Sequence, residues 1–300
     1  MNTLTLPNGY EAFGLVQSAN GKSLYAVYSG GQIYVLNSTS GAVENTVYNV
    51  APCIRSLSYA TNGLAIYGFA ISCTNADGQL IDTATNTSGT PYPLPALPGD
   101  PTASYNQAAL PADNDSIVFL APYASNAVIV NPSNGALIAA PEACYPSQCS
   151  LVAAAPNGLN GYFTASDSSA YLYVVSAPSY GVSQQISLDA NIPDSFAIYS
   201  TNPYGIGINP NSSDVYVSFG FLESGYPTQY ALQTVSTSTY TVANTMLFSS
   251  PIRGPFAVSP NGKYLYAYSS SQSQYDVIAL NNYTIVANIP MPGTPEAIAT

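Results

Sequence analysis

The chain contains no histidine and no tryptophan, and it has very few charged residues. Lys and Arg together number 4 and Asp and Glu together 15, so 6% of the 300 residues are charged, against about 25% in ordinary soluble domains. A chain without histidine cannot assemble a Ser-His-Asp or Cys-His catalytic set, or a histidine-ligated metal centre, from its own side chains. The composition therefore excludes several of the commonest kinds of enzyme site.

The shortage of positive charge excludes a further class of partner. The only basic residues are Lys22, Arg55, Arg253 and Lys263, and nucleic-acid affinity depends on clustered Lys and Arg that neutralise phosphates. The sequence also has no run of about 18 apolar residues, which a membrane-spanning helix would need. We therefore expect no nucleic-acid partner and no membrane span.

The chain does contain enough apolar and aromatic residues for a large core. Hydrophobic residues make up 47% of it, and tyrosine alone accounts for 26 residues, so the sequence is not of the disordered type. Its polar surface must be formed mainly by Ser, Thr, Asn, Gln and Tyr. Such a surface changes little with pH or salt, which suits a protein outside the cell or one with closely packed subunits.

One short phrase occurs near both ends of the chain. Residues 18–26 read S-A-N-G-K-S-L-Y-A and residues 259–267 read S-P-N-G-K-Y-L-Y-A, with weaker copies at 60–68, 155–163 and 209–217. Each copy joins an apolar stretch to an aromatic or β-branched stretch through Asn-Gly or a similar tight turn, which is a strong hairpin signal. Recurrence of one hairpin along the chain predicts a repeat architecture.

The spacing of the repeats predicts a β-propeller. The motif around Glu11 returns around Glu296, and six repeats over that distance give about 47 residues each, close to the roughly 40–50 of a four-stranded blade. No segment shows a sustained helical period. We predict one all-β domain over residues 1–300, a propeller of four-stranded antiparallel blades. The inner strands of the middle blades are expected near 54–60, 105–111, 149–155 and 204–209.

The sequence leaves two blade counts open. Six blades are complete, and residues 3–7 and 297–300 match the last and the first strand of a seventh. A seven-bladed ring is the favoured prediction, with its missing strands supplied by a longer chain or by a neighbouring subunit, because unpaired strand edges seek partners. A six-bladed ring with displaced ends is the alternative.

The last blade resembles a known repeat. Residues 259–267, the strand Y-D-V-I-A-L at 275–280 and the connection P-G-T-P at 292–295 are similar to the YVTN β-propeller repeat of archaeal and bacterial surface-layer-like proteins. Asn20 and Asn261 stand where that repeat has Asp. The resemblance implies a seven-bladed propeller at the cell surface. It implies no activity, because propellers serve as enzymes, lectins and scaffolds.

The four cysteines predict two disulfide bonds. Cys53 and Cys73 face each other across an expected Asn-Gly hairpin, and Cys144 and Cys149 flank the short loop Y-P-S-Q, so both pairs are within disulfide reach. Four buried free thiols are the alternative. The bridges would imply an oxidising, extracellular setting.

Five Asn-x-Ser/Thr sequons are candidate glycosylation sites in an exported protein. All fall in expected turns or strand ends, where a glycan can be accommodated. They are Asn37, Asn86, Asn114, Asn211 and Asn282. In a chain this rich in Asn, Ser and Thr, chance occurrence is the alternative interpretation.

Two short acidic turns could bind a hard cation such as Ca²⁺. One contains Asp113 and Asp115, and the other contains Asp77 with Asp82 nearby; carboxylate and amide oxygens are the ligands that Ca²⁺ prefers. The commoner role of Asp and Asn at hairpin tips is an Asx-turn, which satisfies the N–H groups of the turn itself. The turn interpretation is favoured, and Ca²⁺ is the only cofactor that the sequence suggests.

Arg55 and Arg253 are the candidate ligand-binding residues. Each lies at the start of an inner strand, in P-C-I-R and in P-I-R-G-P, so both could point at one mouth of the central channel and hold a carboxylate or another anion. A hydrogen bond between blades to a loop carbonyl is the alternative. Tyrosine-rich stretches such as 171–173 could stack on sugars, although packing between blades is the commoner role of tyrosine in strands.

Three functions are compatible with these features. The favoured one is a non-catalytic structural or binding module outside the cell, of surface-layer or adhesion type, whose partners are other surface proteins or copies of itself. The second is a propeller enzyme, lactonase-like or a cation-dependent hydrolase, with Asp or Glu side chains converging in the central channel. The third is a glycan-binding lectin. Carboxylates converging on the channel axis would favour the enzyme over the module.

Overall fold

The computed structural model describes most of the chain as a ring of antiparallel sheets. The described residues are 12–18, 20–28, 31–60, 65–70, 76–96, 105–114, 116–122, 124–166, 170–188, 192, 201–221 and 228–291. Within them the chain forms 25 strands and no α-helix, which confirms the all-β prediction. No helix in this part of the chain is long and apolar enough to cross a membrane.

The first three blades are sheets of consecutive, antiparallel strands. Blade 1 consists of β1 (Ala12–Gln17), β2 (Ser23–Tyr28), β3 (Gln32–Asn37) and β4 (Val43–Val47). Blade 2 consists of β5 (Ile54–Tyr59), β6 (Ala65–Ala70), β7 (Asp77–Asp82), β8 (Thr87–Ser88) and β9 (Tyr92–Pro93). Blade 3 consists of β10 (Tyr105–Ala109), β11 (Val118–Pro122), β12 (Val128–Val130) and β13 (Leu137–Ala139). In blade 2 the two short strands β8 and β9 share the outer position, since both pair with β7.

The other three blades repeat the same order with longer strands. Blade 4 consists of β14 (Gln148–Ala154), β15 (Asn160–Ser166), β16 (Tyr171–Ser176) and β17 (Gly181–Ser187). Blade 5 consists of β18 (Thr201–Ile208), β19 (Asp214–Phe221), β20 (Gln229–Ser236) and β21 (Thr241–Phe248). Blade 6 consists of β22 (Ile252–Val258), β23 (Tyr264–Ser269), β24 (Gln274–Ala279) and β25 (Thr284–Pro290). The inner strands β5, β10, β14 and β18 start at or close to their predicted positions.

The recurring phrase folds into the same turn in blades 1 and 6. Asn20 Oδ1 accepts hydrogen bonds from Ser18 Oγ and from the Lys22 amide, both at 2.9 Å, and Asn261 makes the same two bonds in blade 6. The next residue in blade 1, Gly21, has a φ of 70°, a conformation that glycine adopts without steric cost. Asn20 and Asn261 thus supply the acceptor oxygen of these turns, at the position where the YVTN repeat has Asp.

The core lies between the blades. Five apolar clusters each join two consecutive blades, from blades 1 and 2 round to blades 5 and 6. Between blades 3 and 4, Phe119 and Phe163 are fully buried and meet edge to face, with ring centroids 6.2 Å apart. Burying each such side chain contributes roughly 1.5–3 kcal/mol, so this packing holds neighbouring sheets face to face.

The described residues form six blades, which matches the six-bladed alternative. The inner strands of all six border one central cavity, so the six sheets surround a common axis. The seventh blade of the favoured prediction is not shown, since the stretches expected to contribute to it, 3–7 and 297–300, lie outside the described residues.

The two ends of the ring are built differently. The turns that join the first strand to the second and the third strand to the fourth in each blade lie at one end, which we call the hairpin face. Backbone hydrogen bonds tie these turns in pairs: the Ser38 amide donates to Lys22 O and the Leu280 amide to Lys263 O, each at 2.9 Å. The opposite end, the loop face, holds the second-to-third connections and the crossings from one blade to the next.

Candidate binding site at the loop-face mouth of the channel

In every blade the pairing between the inner strand and the second strand is interrupted near the loop-face end of the inner strand. In five blades a single residue is skipped in the register, and in blade 6 the interruption lies between Arg253 and Ala257. The skipped residues are Phe13, Arg55, Asn106, Ser150 and Tyr204. A β-bulge bends its strand and re-aims a side chain, and bulges are over-represented next to functional sites. These bulges form a ring of equivalent positions around the channel.

A cavity of about 400 Å³ occupies the channel at this level. Four of the five skipped residues line it, together with apolar side chains that include Leu57, Leu151 and Ile206. Arg55 is the only charged residue among the described residues of the lining. The volume falls within the roughly 300–1,000 Å³ of small-molecule sites, so the channel can accept a small ligand.

Both candidate arginines stack on an aromatic ring of the preceding blade. The Arg55 Cζ lies 4.5 Å from the centroid of Phe13, and the Arg253 Cζ lies 4.6 Å from the centroid of Tyr204. Each exposed contact of this kind contributes about 0.5–1 kcal/mol. Within the described part of the chain, neither guanidinium bonds to a loop carbonyl, the alternative role considered from the sequence. The two arginines come from blades 2 and 6, and each reaches back to the blade before it.

Glycines next to the bulges allow these contacts by letting inner strands approach closely. A Cβ on Gly14 would lie 2.4 Å from the Arg55 carbonyl oxygen, and a Cβ on Gly205 would lie 2.6 Å from the Phe256 ring. A Cβ atom essentially never lies this close to a non-bonded heavy atom. No larger residue therefore fits at these two positions unless a neighbouring group moves. The glycines therefore set the spacing at which an arginine of one blade reaches the ring of its neighbour.

Polar side chains fasten blades 3 and 4 on another side of the channel. Asn106 Nδ2 donates to the Ser150 carbonyl, which joins two skipped residues, and Gln107 Oε1 accepts from the Val152 amide at 2.9 Å. The channel mouth is therefore cationic and aromatic along blades 6, 1 and 2, and amide-lined along blades 3 and 4.

The acidic residues proposed as calcium ligands do not lie at this mouth. Asp77 and Asp82 are at opposite ends of β7, roughly 17 Å apart along the strand, so they cannot share an ion. Asp82 Oδ1 accepts from the amides of Ala84 and Thr85 at 2.8 and 2.9 Å, an Asx-turn whose hydrogen bonds lower the pKa of that carboxyl.

The second acidic turn also carries no described cation site. Asp113 lies exposed in the β10–β11 turn, where its amide donates to Pro156 O at 2.7 Å, and its proposed companion Asp115 lies outside the described residues. Among the residues that the structure does describe, no three His, Cys, Asp or Glu side chains come together as metal ligands would.

The three described cysteines lie on the loop face. Cys144 and Cys149 form the predicted disulfide, with Cα atoms 5.3 Å apart, in the crossing that leads into β14. Cys53, just before β5, is also disulfide-bonded. Its predicted partner Cys73 lies outside the described residues. The alternative of four free thiols is wrong.

All five sequons lie on the hairpin face. Asn37, Asn86 and Asn282 are in turns between third and fourth strands, and Asn114 and Asn211 are in turns between first and second strands. Asn211 and Asn282 are exposed, whereas the other three are half-buried. No sequence rule separates the two faces in advance, so this segregation is a finding of the structure.

The tyrosines at 171–173 belong to the packing between blades. Tyr173 is buried in the cluster shared by blades 3 and 4, and Tyr171 packs against that cluster. The commoner of the two roles considered for this stretch is therefore the observed one, and it offers no open stacking surface for a sugar.

Reading the sequence named Arg55, which lines the cavity, and Arg253, which is not among its lining residues, but it missed the other lining residues. A bulge has no local signature, because the extra residue is defined by the register of the partner strand. One signal was nevertheless present: Phe13 precedes Ser18, the first residue of its hairpin turn, by five positions, as Tyr204 precedes Asn209. Aligning the inner strands on their turns would have placed all the skipped residues at one level.

No family model and no curated protein matches the sequence, so the resemblance to the YVTN repeat stays a prediction. Among solved structures the chain is similar to Kuenenia stuttgartiensis hydrazine synthase, with a TM-score of 0.75 over 99% of this chain and 91% of that chain. The sequence identity is 12%. A likeness at this level supports the propeller fold and says nothing about activity.

Proposed function

We propose that the chain is a non-catalytic binding module outside the cell, of surface-layer or adhesion type, which holds its partner at the loop face. The channel mouth carries this proposal, because equivalent bulge positions bring a cation, aromatic rings and amides to one cavity. None of the described lining residues is Asp, Glu, His or Cys, the side chains that usually act as general base or activated nucleophile. The set is suited to binding, and the hydrolase alternative lacks its converging carboxylates there.

Two further observations support a location outside the cell. The bonded cysteines Cys53, Cys144 and Cys149 need an oxidising environment in most organisms. The charged fraction of 6% gives a surface whose state depends little on the pH and salt of the surroundings.

The sequons extend the proposal to the orientation of the ring. All five lie on the hairpin face, so glycans attached there would cover one end of the propeller and leave the other uncovered. In our proposal the hairpin face is the glycosylated, outward side, and the loop face meets the partner, whether another surface protein or a second copy of the chain.

Surface labelling of intact cells that produce the protein tests this function and orientation together. Lys22 and Lys263 are the only lysines, and both are exposed on the hairpin face. A membrane-impermeant amine reagent should therefore modify both in intact cells, and peptide mass mapping should find all cysteines oxidised. Lysines that react only after lysis, together with alkylatable thiols, would refute an extracellular role.

A further inference from the structure

We propose that the channel mouth binds a small organic carboxylate, with its carboxylate held by Arg55 and an apolar or aromatic body inside the cavity. The inference rests on the proposed function in one respect, that this mouth is a binding site. It adds the chemical class of the ligand.

The distribution of charge singles out this mouth. The chain carries a net charge of −11 with only 4 basic residues. Arg55 lines the cavity and Arg253 directly precedes the lining residue Gly254, while Lys22 and Lys263 lie on the opposite face. Both arginines are exposed, and no ion pair joins either of them to a described residue. An exposed arginine beside a cavity of an otherwise acidic protein is a local site for an anion.

The stacking contacts prepare the arginines for a planar anion. Phe13 and Tyr204 cover one face of each guanidinium, which restricts the side chain while leaving the N–H edge available. A guanidinium edge matches a carboxylate with two parallel hydrogen bonds. Holding the side chains in place before binding reduces the entropy that the ligand must otherwise overcome.

The apolar wall explains why we infer an organic acid and not a bare inorganic anion. Leu15, Leu57, Leu151, Ile206 and Phe256 contribute to the lining of the cavity of about 400 Å³. Sulfate or phosphate would leave these side chains without contacts, whereas an alkyl or aryl group would bury against them.

The test is a titration of the full chain with matched acids and a neutral analogue. The probes are acetate, octanoate and 3-phenylpropionate, with 3-phenylpropionamide and sulfate as comparisons, followed by calorimetry. The variants are Arg55→Gln and Arg253→Gln, and the matched controls are Lys22→Gln and Lys263→Gln, which remove the same charge from the hairpin face. All four side chains are exposed, so we expect thermal midpoints close to that of the parent chain.

We expect octanoate or 3-phenylpropionate to bind, and the amide and sulfate to bind at least tenfold more weakly. Arg55→Gln should weaken binding about tenfold or more, since hydrogen bonds between charged groups are lost. Arg253→Gln, which removes a charge from the same face but outside the cavity lining, should weaken it less. Each lysine control should stay within about twofold.

Three results would overturn the proposal: no acid of the panel binds, the amide binds as tightly as the acid, or all four variants weaken binding equally. The surface-labelling result is independent of this titration. A failure of the carboxylate site therefore leaves the extracellular role standing, and failure of the labelling does not decide the titration.

Discussion

The hairpin face and the loop face are the two ends of the same strands, and they differ in what holds them. At the hairpin face the turns of blades 1 and 6 are closed mainly by their own residues, as when Asn20 accepts from two groups two positions away. At the loop face several of the contacts described above join different blades, as when Arg55 stacks on Phe13. The recurring turn is the same in blades 1 and 6, whereas the skipped residue of the inner strand differs from blade to blade.

This difference shows how a repeat protein can acquire a specific site. Uniform turns at one end keep the blades in register with one another, because each hairpin ends at the same level. The opposite end is then able to carry a different residue at each equivalent bulge. The following substitutions test this division of roles.

The largest loss of stability should come from removing a side chain that is buried between two blades, because this core supports both faces of the ring. Phe163 is 0% exposed between blades 3 and 4, so Phe163→Ala should lower the free energy of unfolding by about 3–5 kcal/mol, measured by denaturant titration. Leu159→Ala, in the hairpin turn of the same blade and 55% exposed, should change it by less than about 0.5 kcal/mol. Equal losses would contradict a core located between the blades.

A matched pair of glycine substitutions compares the faces directly. Gly14→Ala places a Cβ against the Arg55 carbonyl, so it should cost about 2–3 kcal/mol and weaken carboxylate binding by displacing Arg55 from Phe13. Gly21→Ala has a φ of 70° and its Cβ would meet only Gln17 Nε2, at 3.6 Å, so it should cost about 1 kcal/mol and leave binding unchanged. Thermal melts and the same calorimetric titration measure both effects, and weaker binding in both variants would remove the distinction.

A smaller effect concerns Asp276, which is 3% exposed in β24. Burial raises the pKa of this carboxyl, and the hydrogen bond from Gln274 Nε2 at 2.7 Å offsets the shift only in part. The folded state then holds the proton more tightly than the unfolded chain. The contribution of Asp276 to stability is therefore fully present below the ordinary pKa of 3.8, and it is lost as pH rises through the raised pKa. Asp276→Asn should therefore raise the melting temperature at pH 7 and change it less at pH 4.

Asp82, in a turn of the hairpin face, should show the opposite sign. Amides of Thr85 and Ala84 lower the pKa of its carboxyl, so its contribution is present above 3.8 and is lost as pH falls through the lowered value. Asp82→Asn should lower the melting temperature slightly at pH 7 and leave it unchanged at strongly acidic pH. If Asp276→Asn and Asp82→Asn shifted the melting temperature at pH 7 in the same direction, the opposite roles of these two carboxyls would be contradicted.

The last prediction concerns glycosylation, which should change stability least and is measured by its occupancy. Secreted from a eukaryotic host, the chain should be modified more fully at the exposed Asn211 and Asn282 than at Asn37, whose Nδ2 donates to Glu44 Oε1 at 2.9 Å. Glycopeptide mapping measures the occupancy. As a control, Ser271→Asn creates a sequon at an exposed turn of the loop face. This site should also be modified, because the natural loop face lacks glycans only for want of a sequon in its described part. Unmodified Asn211 and Asn282 beside a modified control would refute a glycosylated hairpin face.

How far the sequence predicts this molecule follows from the same contrast. The Asn-Gly turns, the strand rhythm and the positions of inner strands such as β5 and β10 could be predicted, because each depends on a few neighbouring residues. The number of blades depends on the angle between packed sheets, so the sequence left six and seven open, and the described residues form six. Arg55 and Arg253 were expected at a channel mouth from their places by the inner strands. Arg55 lines the cavity and Arg253 is not among its lining residues, and the aromatic rings beneath both were not predicted.

The register near Cys53 shows the physical reason. An uninterrupted hairpin would place Ile54 opposite residue 72, whereas the structure pairs Ile54 with Ala70. The bulge at Arg55 and the exact turn length shift the pairing. Both are fixed by contacts between strands and blades, which a single strand's sequence does not contain.

The skipped residues have a consequence for how such a chain can change over generations. A residue outside the ladder of strand pairing can be replaced without breaking the pairing on either side of it, and Asn106 and Arg55 owe their contacts with neighbouring blades to their side chains. Positions 13, 55, 106 and 204 are the four such residues that line the cavity. Randomising those four would therefore change the chemistry of the cavity while the strands around it keep their order.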